Sequence, residues 1–119
     1  MRVVDIGTQN HTQVICLDEP GAGNACHEYV VKPIDEPTVD FHGTPIHFQD
    51  GPIKEAGVNG CHNEDLIAIV IDRLQGFQSG EYKCRENAIA LTKLEEALLW
   101  LNKRTADRRK RGVEGTREK

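Results

Sequence analysis

Phe77, Asn87, Arg104 and Arg108 are the side chains whose types and spacing could do chemistry. An aromatic face stacks on a nucleobase, a carboxamide reads a base edge through paired donor and acceptor, and two guanidinium forks grip phosphate oxygens. None of the four activates water. The set therefore suits binding without turnover, and no catalytic residue is expected: the chain has no nucleophile elbow, HExxH, Walker or DFG-like motif. Glu95 and Glu96 are adjacent on a solvent-facing side of their helix and do not form an acid/base pair.

Three of the four residues share one helical stripe. In CRENAIALTKLEEALLWLNKRTADRRKR, from Cys84 to Arg111, the residues Asn87, Ala90, Leu94, Ala97, Leu101, Arg104 and Arg108 recur at steps of three and four. Such a stripe is normally an apolar packing seam, yet here it is apolar only in the middle, and its polar ends need partners if they are covered. A rise of ~1.5 Å per residue puts Asn87 roughly 25 Å from Arg104, so one chain cannot bring both ends to one small ligand. Two antiparallel copies about a two-fold axis can, because the arginine end of one lies over the asparagine end of the other. The stripe thus predicts a dimer with a composite pocket at each end of the seam.

A second helix must hold Phe77 beside this rod. Asn63 reads as its N-cap, Glu64 and Asp65 as acidic first-turn residues, and Ile67, Val70, Ile71, Leu74 and Phe77 as its apolar face. Gly80 marks the stop, and a connection of about six residues folds the two helices into an antiparallel hairpin. Phe77 then lies near the tip on the side of Asn87, although it also reads simply as the last core residue of its helix. Leu91 and Leu98 widen the seam of the long helix, while Ile89, Leu99 and Trp100 point to other sides, which calls for cover beyond one hairpin and makes an assembly above the dimer plausible.

The first 48 residues read as β-structure. Val3, Val4 and Ile6 open a strand, Gln13 to Leu17 form a second and His27 to Lys32 a third, with DEPGAGNA supplying the turn between the last two. Gly21 and Gly23 are hairpin glycines and not a phosphate loop, since no Gly-Lys-Ser/Thr follows. Thr38 to Phe41 and Pro45 to Phe48 flank His42-Gly43-Thr44 as a further tight hairpin. His11, His42 and His47 read as surface or turn residues. QDGPIKEAGVNG, residues 49 to 60, is a Gly/Pro loop that joins the β-part to the helices; its main-chain N–H groups could approach a ligand, or it could serve as connection alone. The fold class is α+β in a single domain: a small antiparallel β-part (1–48), the loop (49–62), a long antiparallel helical hairpin (63–112) and a short polar tail (113–119) expected to fray.

Composition narrows the function. At 119 residues and 38% hydrophobic, the chain can bury one ordinary core, and it shows neither a transmembrane run nor a signal peptide, so a soluble, intracellular protein without membrane contact is expected. The net charge of −4 argues against long nucleic acid as a partner. Lys103, Arg104, Arg108, Arg109, Lys110 and Arg111 against Asp107 make a local +5 on a remainder of −9, a compact cationic end suited to a small anion. Cations at a helix C-terminus also complement the dipole, which accounts for Arg109, Lys110 and Arg111 without any ligand. Cys16, Cys26, Cys61 and Cys84 are expected as reduced thiols. Cys26-His27 and Cys61-His62 invite a zinc reading, but no Cys-x-x-Cys knuckle accompanies them, so neither a metal nor another cofactor is expected.

At Phe77, Asn87, Arg104 and Arg108, and in the hairpin that carries them, the sequence resembles a family of phage proteins that sequester the cyclic nucleotide signals of bacterial immunity. It is most similar to the Thoeris anti-defence sponges, which share a helical hairpin with the anti-CBASS sponges. The resemblance spans about Phe48 to Gly115. It implies that the four residues hold a cyclic ADP-ribose isomer between two chains and release it intact. It further implies a homo-oligomer built from dimers, up to a hexamer, and a range of ligands that in some relatives extends to cyclic di- and trinucleotides, the latter at separate sites to which no residues are assigned. The site of action implied is the cytoplasm of the infected bacterial host. Two other classes stay open: a structural or regulatory phage protein whose basic helix end binds nucleic acid or a protein partner, and a hydrolase that degrades the signal.

Overall fold

The computed structural model describes residues 1–7, 10–36 and 39–119. Four short strands, β1 (Arg2–Val4), β2 (Thr12–Cys16), β3 (Glu28–Pro33) and β4 (Thr44–His47), form an antiparallel meander in the order β1-β2-β3-β4. In β2 and β3 the β-branched residues Val14, Ile15, Val30 and Val31 lie in register, Val14 opposite Val31 and Ile15 opposite Val30, so the central pair is stabilised by cross-strand side-chain packing. Cys16 closes β2 opposite Arg2 on one side and Tyr29 on the other. Among the described residues only Ile15, Cys16 and His27 are buried, which makes this a thin sheet with a small core.

The connection from β2 to β3 carries the expected turn glycines. A single 3-10 turn at Ala22–Asn24 is closed by Asn24 N–H to Gly21 O and Gly21 N–H to Ala25 O, and Gly23 takes φ 73° there. The expected hairpin around His42-Gly43-Thr44 does not form. Thr38 lies outside the described residues, Val39 to Phe41 make no strand, and Thr44–His47 pairs instead with β3, His47 opposite Glu28 and Ile46 opposite Tyr29. The Val- and Tyr-rich edge of β3 outcompetes a local partner. Gly43, at φ 125°, permits the approach, since a Cβ there would meet Val30 Cγ2 and Val31 O at 3.1 Å.

After β4 the chain enters the Gly/Pro loop, which is a closed structure with its own one-turn helix α1 (Ile53–Ala56). Gln49 Nε2 donates to the carbonyls of Gly51 (3.1 Å) and Gly57 (2.7 Å), while Gln49 Oε1 accepts from Asn59 N–H (2.9 Å). Asn59 answers with a reciprocal amide pair on the backbone of Asp50. A parallel bridge between Phe48 and Cys61 zips the loop shut, and the Phe48 ring meets Tyr29 edge-on at 5.7 Å. Residues 1–61 form one compact unit and residues 62–119 another.

The second unit is the helical hairpin, α2 (Asn63–Gln78) and α3 (Arg85–Lys110). The N-cap of α2 is His62, one residue ahead of the expected Asn63: Asp65 Oδ2 accepts the His62 N–H at 2.8 Å, so the acidic residue at the third helical position closes the cap. The six-residue connection is clamped by the Gln78 carboxamide, which donates to Cys84 O (3.0 Å) and accepts from Cys84 N–H (2.9 Å). Cys84 then caps α3, its Sγ accepting from Asn87 N–H at 3.4 Å. Neither helix contains a fully buried residue, because two helices cover each other on one face only. Ile69, Leu99 and Trp100 are each more than 60% exposed, on sides that α2 and α3 do not cover for each other. No helix among the described residues is long and apolar enough to cross a membrane.

The tail after α3 is ordered, not frayed. Gly112 (φ 73°) donates to Arg109 O and Val113 to Arg108 O, the two bonds of a Schellman motif, and Thr116 N–H continues the turn onto Val113 O. The Arg108 side chain supplies the rest of the anchorage, as described below.

Two glycines separate close approach from plain helix cost. A Cβ on Gly60 would sit 2.5 Å from the Phe48 carbonyl carbon, whereas one on Gly76 in α2 would meet nothing within 4 Å. Urea unfolding followed by circular dichroism is expected to show Gly60→Ala destabilised by about 2 kcal/mol or more. Gly76→Ala should be stabilised by about 0.8–1 kcal/mol.

Candidate functional site

The cationic end of α3 forms a cleft of about 260 Å³. Its walls come from one helical face, Trp100, Lys103, Arg104, Asp107, Arg108 and Arg111, with Lys119 of the tail completing it. The i, i+3, i+4, i+7 spacing of the first four puts them side by side, so local helix geometry alone builds most of the wall. Asp107, the single acid in the lining, pairs with Lys103 at 3.0 Å. That leaves Arg104, Arg108, Arg111 and Lys119 as a net positive surface beside an exposed indole. A cleft of this volume falls short of the roughly 300–1,000 Å³ of a small-molecule pocket.

The two arginines named from the sequence are brought together here, in different states. Arg104 is exposed and Arg108 half-buried. Arg108 Nη2 donates to the carbonyls of Val113 (3.2 Å), Thr116 (3.1 Å) and Glu118 (2.7 Å), three acceptors sharing the hydrogens of one nitrogen. Its Nε is buried without a partner. The same residue's carbonyl accepts the Val113 N–H of the Schellman motif, so backbone and side chain of Arg108 hold the tail from both sides. Arg111 Nη2 likewise bonds Lys119 O.

Phe77 and Asn87 lie at the other end of α3. Phe77 occupies the last turn of α2 and Asn87 the first turn of α3, flanking the connection. Asn87 is half-buried and its N–H is committed to the Cys84 cap. Phe77 is 38% exposed, and its ring carries the Arg73 guanidinium 5.1 Å from its centroid, a cation–π contact one helical turn back. The predicted set is therefore divided in one chain: Phe77 and Asn87 at the tip, Arg104 and Arg108 near the far end of a 26-residue helix.

Several contributors escaped the sequence reading. Trp100 and Arg111 flank the arginines at spacings that a helical wheel centred on Arg104 would have gathered. Arg73 stands at i−4 from Phe77, a pairing readable from the sequence. The tail carbonyls carry no sequence signal, because any residue supplies them. The Cys-His neighbours do not converge; His27 instead faces Asp50 at 3.5 Å and His62 faces Asp65. A different group assembles at the start of the β2–β3 connection, where ligand atoms of Cys16, Asp18 and Cys26 all lie within 4.8 Å of one another. The N–H groups of His27 and Glu28 hold the Asp18 carboxyl below its ordinary range. The Cys26 thiol is raised by its hydrogen bond with Cys16 and by burial, with Arg2 acting against both.

Comparison with known proteins bears on the hairpin directly. The sequence model described as "Acb2/Tad1, hairpin domain" matches residues 44–106, from the start of β4 through most of α3. A protein of Bacillus phage SBSphiJ7 named "Thoeris anti-defense 1" is 52% identical over 92% of this chain and 92% of its own length. The chain belongs to the Acb2/Tad1 hairpin family. Phe77, Asn87 and Arg104 fall inside the matched family segment, while Arg108 and the tail it holds lie just beyond it.

The anchorage of the tail can be measured without any ligand. Arg108→Lys keeps the charge but loses the planar fork, and hydrogen exchange at the Val113 and Thr116 amides is expected to accelerate about tenfold or more, ~1.4 kcal/mol, near the lower bound for a charge-assisted hydrogen bond. Arg104→Lys should leave those amides unchanged.

Proposed function

We propose that the protein is a phage anti-defence sponge: it binds cyclic nucleotide immune signals, cyclic ADP-ribose isomers first among them, and holds them uncleaved in the cytoplasm of the infected bacterial host. The observation that carries this reading is the 52% identity, over nearly the whole chain, to a phage protein named for Thoeris anti-defence. The geometry supports it in two ways. A cationic cleft beside an indole suits phosphate and base together, and the site holds no constellation of nucleophile, base and orienting group that would turn a bound ligand over.

The pocket in this reading is composite. Arg104 and Arg108 of one protomer meet Phe77 and Asn87 of an antiparallel partner, twice per dimer, and dimers associate further, up to a hexamer, over the exposed apolar faces of the hairpin. Sequestration works by mass action, so the dissociation constant must lie below the signalling concentration; a Kd of ~10 nM corresponds to about −11 kcal/mol. Two charge-assisted arginine contacts of about 1.5–3 kcal/mol each and stacking of about 1–3 kcal/mol supply a large part of that. Cyclic dinucleotides offer the same phosphates and bases and are included in the ligand class, and cyclic trinucleotides are included as ligands of a separate site.

Calorimetry with a panel of cyclic nucleotides is the direct test: Arg104→Ala, Asn87→Ala and Phe77→Ala are expected to weaken binding at least about tenfold. Heat-denaturing the complex should release the ligand intact; linear products would point to a hydrolase instead. Binding of long DNA with a steep salt dependence and no affinity for cyclic nucleotides would favour the regulatory reading.

Sharing of the pocket has its own signature. Asn87→Ala and Arg104→Ala chains, each weakened in binding alone, are mixed and allowed to exchange, and sites of wild-type affinity are counted. A mixed dimer then carries one doubly altered pocket and one intact pocket, so about a quarter of the wild-type sites should return. If all four groups act within one chain, none returns.

A further inference from the structure

The structure assigns a metal site to Cys16, Asp18 and Cys26: we propose that these residues bind a borderline divalent d-block cation of the zinc type, pinning the β2–β3 connection. The site is independent of the nucleotide reading, since its residues all belong to the sheet unit. The donor set is two sulfurs and one carboxylate oxygen, within 4.8 Å of one another. Tetrahedral zinc with Zn–S bonds of ~2.3 Å needs its sulfurs about 3.8 Å apart. The atoms are therefore within about an ångström of ligating distances, a shift that side-chain torsions supply.

Three observations favour a cation over an idle cluster. Both thiols already gather at Asp18: Cys16 Sγ donates to the Asp18 carbonyl oxygen at 3.4 Å and to Oδ1 at 3.7 Å, and Cys26 Sγ donates to the same carbonyl at 3.5 Å, so the donor atoms share one small volume. The carboxylate is oriented from behind, Oδ2 accepting His27 N–H at 3.0 Å and Oδ1 accepting from His27 and Glu28 at 3.2 Å, which leaves Oδ2 a further lone pair for a metal. The charge also closes. Binding releases two thiol protons, so two thiolates and a carboxylate (−3) meet a dication, and the residual −1 faces the Arg2 guanidinium, 3.9 Å from Cys26 Sγ. Cys16 is fully shielded from solvent and Cys26 partly open, giving a protected ligand and an entry side. Water takes the fourth position.

Metal binding would cross-link the last residue of β2 to the residue two before β3, closing the connection that spans residues 17–27. The test uses the reduced, chelator-stripped full chain under anaerobic conditions, titrated with Co²⁺. One equivalent should produce a thiolate-to-cobalt charge-transfer band with tetrahedral d–d bands, and Zn²⁺ should displace it and raise the melting temperature with concentration. Cys26→Ser and Asp18→Asn should weaken or abolish the bands, and a Cys61→Ser, Cys84→Ser double variant should retain them. On the unaltered chain, Zn²⁺ should slow alkylation of Cys26 by about tenfold or more while leaving the exposed Cys84 unchanged. No band with Co²⁺, a band that survives Cys26→Ser or vanishes in the double variant, or Cys26 alkylation indifferent to Zn²⁺, each overturns the proposal.

Discussion

An unbroken ladder of backbone hydrogen bonds through the 26 residues of α3 fixes the distance between the two ends of the molecule's chemistry. A helix of that length spans about 39 Å and cannot fold its ends together. Both ends are then built by the terminal problem that every helix has, the unpaired N–H groups at its start and the unpaired carbonyls at its finish. At the start, Cys84 Sγ satisfies Asn87 N–H, which sets the asparagine into the first turn. At the finish, Val113 and Gly112 satisfy the carbonyls of Arg108 and Arg109, and the turn so formed is what Arg108 Nη2 grips. Capping and placement of the candidate binding residues are one event at each end.

The hairpin that carries these ends is only half finished as a folded object. With no fully buried side chain in α2 or α3, and with Leu99, Trp100 and Ile69 largely in water, its helices rely on a single shared face. Helices of this length owe most of their stability to packing and little to propensity. Trp100 lines the arginine cleft and is itself largely exposed, which gives one indole two roles, cleft wall and exposed apolar face. Association and ligand capture in the proposed sponge would thus draw on adjoining surface.

What the sequence made legible was what local periodicity encodes. The 3.6-residue stripe located α3 to within a residue at each end, with Cys84 and Arg111 as its caps, and the valine-rich runs located β1, β2 and β3. The division of Asn87 from Arg104 and Arg108 followed from rise per residue, and the short connection of the hairpin put Phe77 on the side of Asn87. The failures have a common cause, competition from partners distant in sequence. Thr44–His47 pairs with β3 and makes no local hairpin; the tail is ordered by an arginine side chain five to ten residues back; Cys16 and Cys26 converge only because β2 and β3 are in register. His62 in place of Asn63 is a smaller miss, decided by which backbone N–H Asp65 could reach.

The contrast between the two arginines bears on how a sponge of this kind would divide its binding energy. A free arginine side chain gives up about 1.5–2 kcal/mol of rotamer entropy when a ligand fixes it. Arg104, exposed, bears that cost at the moment of binding. Arg108 has met much of it already in the folded chain, because three carbonyls hold one of its nitrogens and its Nε is enclosed. In the proposed function the guanidinium nitrogen left over, Nη1, is a single preorganised donor, and preorganisation raises affinity by lowering the cost of ordering without adding a contact. The tail is thereby part of the binding apparatus in the proposed function: it touches the arginine, and the arginine touches the anion. In the proposed function Arg104 would contribute reach and adaptability and Arg108 a defined position.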